Sequence, residues 1–93
     1  MNKILPREKL IKLGVKNLKD EELIAIIIGT GNKNEDVFQL SRKIVNTIGL
    51  KNLKDIDIKT LLQIDGLGIA KASRIISSIE LGRRLFSNSG EII

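Results

Sequence analysis

Nearly the same seven residues occur twice in this chain. Gly14-Val15-Lys16-Asn17-Leu18-Lys19-Asp20 returns as Gly49-Leu50-Lys51-Asn52-Leu53-Lys54-Asp55, with six of the seven positions identical at an offset of 35. Each copy leads into an apolar helical stretch, then a Gly-x-Gly (Gly29-Thr30-Gly31 and Gly66-Leu67-Gly68), then a longer amphipathic stretch. From the Asp to the first Gly, the second copy is two residues longer; after the Gly-x-Gly, the first copy is two longer. The register is thus restored, and Val37, Leu40 and Ile44 fall opposite Ala72, Ile75 and Ile79. A chance match in a Lys- and Asn-rich chain would not restore it. The pattern predicts two similar pieces, about 14–48 and 49–86, packed on each other.

Pro6 suits a first helical position, and Arg7 to Leu13 read as a short helix with Leu10 and Leu13 inward, stopped by Gly14. Lys16 to Lys19 read as a single turn. Asp20 is expected to cap a helix through about Ile28, with Glu21 and Glu22 in its first turn. Asn34, Glu35 and Asp36 offer caps for the next helix, whose inner face is Val37, Leu40, Ser41, Ile44 and Ile48. Asp57 is expected to cap a helix to about Ile64. A long helix from about Ile69 to Phe86 follows, with Ala72, Ile75, Ile76, Ile79 and Phe86 along its core stripe. Gly82 inside it costs about 1 kcal/mol relative to Ala. Close packing on the N-terminal helix and fraying of the helix end are two accounts of it. Ser87-Asn88-Ser89-Gly90 reads as a linker, and residues 87–93 as the approach to a further domain that this chain lacks. No segment has strand periodicity, so the expected fold is all-α, with about five helices and an internal pseudo-twofold.

Composition narrows the chemistry. The 93 residues include two Phe but no Tyr and no Trp, so the core must be Ile and Leu. Without exposed aromatics, a sequence-reading single-strand binder is disfavoured. There is no Cys, hence no disulfide, thiolate site or redox centre, and no His, the commonest general base and metal ligand. The net charge of +5 favours a polyanionic partner. The longest apolar run, Leu23 to Ile28, is far too short to span a bilayer, and the N-terminus has no signal-peptide apolar region. A cytoplasmic protein with no membrane partner and no small-molecule substrate is expected.

The second copy constrains seven positions: Leu61, Ile64, Gly66, Leu67, Gly68, Ala72 and Ile75. Leu61 and Ile64 bury one helix face, and Leu67 plugs the turn into the core. Small Ala72 lets the second helix cross close, and Ile75 completes the contact between the two helices. The glycines allow backbone angles and approaches closed to other residues. This is the helix-hairpin-helix motif. It leaves backbone N–H groups at a helix start, where donors and the helix dipole together form an anion site. Lys71 and Arg74, one turn apart on the outward face, add candidate contacts to a nucleic-acid backbone. The expected site is therefore Gly66, Leu67, Gly68, Ile69, Ala70, Lys71 and Arg74. Many DNA-binding hairpins carry a basic or small polar residue directly after the second Gly; here Ile69 and Ala70 precede Lys71. In the first copy Val37 replaces the small Ala, and Glu35 and Asp36 lie near the helix start. Thr30, Gly31, Asn32 and Lys33 are its candidate phosphate contacts. Glu21, Glu22, Glu35 and Asp36 read as caps rather than catalytic acids. Arg83 and Arg84 either touch DNA or complement the helix dipole.

Taken together, Pro6-Arg7-Glu8-Lys9-Leu10, Leu13-Gly14-Val15, Asn17-Leu18, Asp20-Glu21-Glu22-Leu23, Ala25-Ile26 and Gly29-Thr30-Gly31 resemble the N-terminal region of the bacterial RadC family, also called UPF0758. Gly66-Leu67-Gly68, Ala70-Lys71-Ala72 and Glu80-Leu81-Gly82-Arg83-Arg84 extend the resemblance over about residues 5–86. It implies a tandem helix-hairpin-helix module, here 1–86, ahead of a JAB/MPN-type domain resembling zinc metallopeptidases, and a link to DNA repair. The zinc ligands of that domain, His-x-His and Asp, are not in this chain, so no catalytic or metal-binding residue carries over and no cofactor is expected. In related modules, paired hairpins grip the two backbones across a minor groove.

Three functions compete at this point. The first is non-sequence-specific binding of double-stranded DNA. The second is a protein-interaction or self-association module serving the JAB/MPN domain, favoured by Ile69 and the acidic first hairpin. The third, catalysis, is disfavoured. Some hairpin-bearing glycosylases pair a hairpin Lys with a later Asp, and no Asp follows Lys71; the domain is also small for a base-flipping pocket.

Overall fold

In the computed structural model, residues 5–87 are described. The chain runs α1 (Pro6–Leu13), a 3-10 turn (Val15–Asn17), α2 (Asp20–Ile28), α3 (Val37–Ile48), α4 (Leu50–Leu53), α5 (Ile58–Leu61) and α6 (Ile69–Phe86). No strand occurs among the described residues, so the fold is all-α as expected. The readings of residues 1–4, and of the linker beyond Ser87, lie outside the described residues.

The repeated segment has a physical job. Gly14 (φ 90°, ψ 154°) and Gly49 (φ 86°, ψ 141°) adopt nearly the same positive-φ conformation and stop α1 and α3. Three residues on, the Asn side chain turns back: Asn17 Nδ2 donates to the Leu13 carbonyl, and Asn52 Nδ2 to the Ile48 carbonyl at 2.8 Å. Each bond satisfies a carbonyl orphaned at a helix end. The next residue, Leu18 or Leu53, is buried. Glycine stop, asparagine tie and leucine anchor are therefore what the repeat encodes.

Beyond that the copies diverge, and several expectations need correction. The second lead-in winds into α4 where the first makes a 3-10 turn, so there are six α-helices among the described residues rather than about five. Asp20 does not cap α2; it is the first helical residue. The break falls at extended Lys19, and the Glu22 carboxylate accepts from the Lys19 N–H at 2.7 Å. Asp57 does cap α5, accepting from the Thr60 N–H at 2.9 Å. That helix ends at Leu61 rather than near Ile64, because the Gln63 and Ile64 N–H groups bond three residues back, at 3.1 Å each.

α2 is the shared wall, with α1, α3 and α6 all packing on it. Ile24 and Ile28 of α2, Leu40 and Ile44 of α3, Leu53, Leu61, Ile64, Leu67, and Ala72 and Ile75 of α6 form one apolar core. Burial of this kind is the main favourable term in folding. Ser41 is also fully buried, and its hydroxyl donates to the Val37 carbonyl at 2.7 Å, so no polar group is left orphaned there. Ion pairs brace α2 from outside: Lys9–Glu22 at 3.1 Å and Arg42–Glu21 at 3.5 Å.

The core ends before the helices do. Leu13 is 54% exposed and Phe86 81% exposed, so neither faces inward as the periodicity predicts. α6 outruns its partners after Ile79, and a helical stripe continues whether or not anything covers it. A Cβ built on Gly82 meets nothing within 4 Å, which rules out close packing as the reason for that glycine. No helix among the described residues is long and apolar enough to cross a membrane.

Two glycines give opposite predictions. Gly49→Ala forces a side chain into a positive-φ conformation and should destabilise the domain by about 1–2 kcal/mol. Gly82→Ala keeps helical backbone in open space and should stabilise it by up to about 1 kcal/mol. Urea midpoints shifting in opposite directions would agree; a shared direction would contradict the account.

Candidate nucleic-acid interface

The two Gly-x-Gly segments look alike in sequence and differ in what surrounds them. In the second, Gly66 sits at φ 90°, and the Leu67 N–H closes a turn onto the Ile64 carbonyl at 3.1 Å. Leu67 is buried, as its plug role requires. Gly68 is extended (φ −83°, ψ 179°) and forms the N-cap of α6. No side chain caps that helix, and no acidic residue lies in its first turn. A Cβ on Gly68 would meet nothing within 4 Å. The first N–H groups of a helix lack intrahelical acceptors, so those of Ile69, Ala70 and Lys71 face an open approach. Ile69 is 68% exposed and Ala70 is exposed; Lys71 is half-buried.

The first Gly-x-Gly is filled by its own loop. The Asp36 carboxylate caps α3, accepting from the Gln39 N–H at 2.8 Å, while Gln39 Oε1 accepts from the Asp36 N–H at 2.9 Å. The anion position at that helix start is thus occupied from within. A Cβ on Gly31 would lie 2.1 Å from the Glu35 carbonyl oxygen, so this glycine serves a close backbone approach. The Asn32 N–H donates to that same carbonyl at 2.8 Å. Thr30 and Lys33 are exposed beside the loop.

Asn32 and Arg74, both expected to face a ligand, also bond across the fold. Asn32 Oδ1 accepts from the N–H groups of Asn34 (2.8 Å) and Glu35 (2.9 Å). Its Nδ2 donates to Glu35 Oε1 and to the Gly66 carbonyl, both at 3.2 Å. Arg74 Nη1 donates to the Ile28 carbonyl at 3.0 Å, closing the C-terminal end of α2 and leaving the other guanidinium donors available. Lys43 Nζ lies 2.9 Å from Glu35. Its hydrogen bond first, then that from Asn32, holds the Glu35 carboxyl below the usual glutamate range. At the far end of α6, Arg83 and Arg84 both bond Glu80, and Arg83 above all holds its carboxyl down to about 2. The two arginines share that single carboxylate and stay more than half exposed, so this end of α6 keeps a net positive charge.

The family model described as UPF0758 N-terminal matches residues 2–73. The chain belongs to the UPF0758 family. It is 49% identical over 82 residues to a UPF0758 protein of Alkaliphilus oremlandii, covering 86% of this chain and 35% of the relative. It is 41% identical over 87 residues to one of Aquifex aeolicus, covering 94% and 37%. With the UPF0758 protein YsxA of Bacillus subtilis the identity is 40% over 87 residues, covering 92% and 38%. The chain thus spans little more than a third of the length of these curated relatives. No solved structure matches it. The zinc that the family resemblance implies for a further domain has no ligand set here. The chain has neither His nor Cys, and no group of three or more acidic side chains fit to hold a metal occurs among the described residues.

Sequence reasoning places the second hairpin's residues together and misses the bridge. The signal present is local: Asn32, followed by Asn34 and Glu35, is the composition of a turn in which an Asn side chain binds backbone N–H groups. Its partner 34 residues away has no sequence signal.

The lowered pKa of Glu35 fixes a pH dependence. A carboxyl depressed by folding contributes stability above its unfolded value and loses it as pH falls through the folded value. Thermal melts of wild type should therefore fall in midpoint as pH drops below the ordinary glutamate range. Glu35→Gln should fall less steeply over that window. Parallel curves would remove Glu35 from the account.

Proposed function

We propose that this UPF0758 chain binds double-stranded DNA without sequence specificity, holding a backbone phosphate at the start of α6. The observation that carries the reading is Gly68: a glycine in ordinary extended backbone, with open space around it, at the start of an uncapped helix. Its own fold makes no use of the missing side chain, while an incoming phosphate would. Backbone N–H groups and the helix dipole favour an anion there. Lys71 and Arg74 add positive charge within the first two turns of the same helix, and the net charge of +5 supports a polyanion. Contacts of this kind position a protein on the backbone and do not read bases. The role is binding alone, with no catalytic step assigned to these residues. In the longer relatives the module would deliver the rest of the chain to duplex DNA.

A protein-interaction role is favoured by Leu81, Leu85 and Phe86, which stand exposed at the end of α6. Light scattering separates self-association by that surface from DNA binding, because a strictly monomeric chain that binds duplexes supports the first reading.

Fluorescence anisotropy with duplexes of several sequences, at two salt concentrations, tests the proposal. Affinity should be similar across sequences and fall steeply with salt. Lys71→Ala should lower the log–log salt slope by about 1. Gly68→Asp supplies the missing cap, so it should raise stability by about 0.5 kcal/mol while weakening DNA binding at least tenfold. Unchanged affinity in Gly68→Asp would contradict the site, and no salt-sensitive binding by wild type would contradict the function.

A further inference from the structure

The geometry points to a division of labour between the hairpins: the first is a brace that fixes the second, and Asn32 is its positioning residue. This inference rests on the DNA-binding reading above.

Three observations carry it. The first loop caps the start of α3 with its own carboxylate, Asp36, which accepts from the Gln39 N–H. Its polar groups then close on one another, with Lys43 pairing Glu35 and Asn32 ordering the Asn34 and Glu35 N–H groups. Finally, the Asn32 amide of this network also donates to the carbonyl of Gly66, the residue whose positive φ sets the second turn. The orientation of the Asn32 amide follows from its partners. Oδ1 takes two N–H donors, so Nδ2 must face the two oxygens of Glu35 and Gly66. The fit is tight, since a Cβ on Gly66 would lie 2.3 Å from Asn32 Nδ2. Gly66 lies two residues before the α6 cap, so holding its carbonyl holds the direction in which the following N–H groups point. Arg74 on the Ile28 carbonyl adds a second tie between the same two units. Preformed donor geometry at a binding site raises affinity by removing the cost of ordering it on contact. The two similar motifs thus make one phosphate site with a built-in support rather than two equivalent grips.

Asn32→Asp separates the brace from the fold of the loop. The aspartate still accepts from the Asn34 and Glu35 N–H groups, yet it has no donor for Gly66 and sets a carboxylate against Glu35. Asn34→Asp is the control. Asn34 is exposed two residues away, it adds the same charge to the same loop, and no side-chain bond to the second hairpin is lost. Duplex binding should weaken about three- to tenfold more in Asn32→Asp than in Asn34→Asp, with the same salt slope, because no phosphate contact is removed. Without DNA, the amide NMR signals of Gly66 to Ile69 should shift in Asn32→Asp and stay in place in Asn34→Asp. Asn32→Ala, which adds no charge, should also weaken binding at an unchanged salt slope. Equal affinities in the two aspartate variants, with wild type binding DNA, would overturn the brace while leaving the DNA reading intact. If wild type does not bind, the DNA reading fails. The amide signals then judge the brace alone: no shift at Gly66 to Ile69 would overturn it as well.

Discussion

Everything in this domain depends on both units burying apolar side chains against a single helix. Ile24 and Ile28 of α2 meet Leu40 and Ile44 of α3 and Ala72 and Ile75 of α6 in one continuous core. Ala72 and Ile28 are completely buried. Small Ala72 lies on the face of α6 that joins this core. Because α2 belongs to the first unit and α6 to the second, neither has a complete core of its own. The carbonyl at the end of α2 is held by Arg74 and the loop after it reaches Gly66, so the polar ties follow the path laid down by the apolar one.

On that shared frame, near-identical motifs have diverged in polarity. The second starts its helix at a bare glycine, and the first starts its helix at an aspartate in a reciprocal capping pair. A cap and an anion site are alternative uses of the same N–H groups. The first unit uses them for stability and the second leaves them open. Lys43, Asn32 and Glu35 show the same trade, since their charges and hydrogen bonds are satisfied within the protein.

How much of this is legible in the sequence varies with the range of the interaction. Spacing places Leu61, Ile64, Leu67, Ala72 and Ile75 inward and all five are buried, because periodicity fixes which face of a helix is apolar. Asp57 reads as a cap and is one, since capping is decided within three residues. Leu13 and Phe86 are misplaced by the same periodicity, which does not say where the covering helix stops. The α2 cap shifts by one residue because Glu22 reaches back to Lys19, a competition between two local solutions. Sequence alone does not show that Asn32 and Arg74 also bind carbonyls 34 and 46 residues away. Only assembly of the fold brings a carbonyl within reach of either side chain.

The central claim is that one helix start, and not its sequence twin, receives the phosphate. A backbone amide NMR titration with a short duplex reads both at once. The account predicts that shifts concentrate at Gly68, Ile69, Ala70 and Lys71, while Val37, Phe38 and Gln39 at the start of α3 stay in place. Comparable shifts at the two helix starts, or shifts confined to Leu81–Phe86, would contradict it.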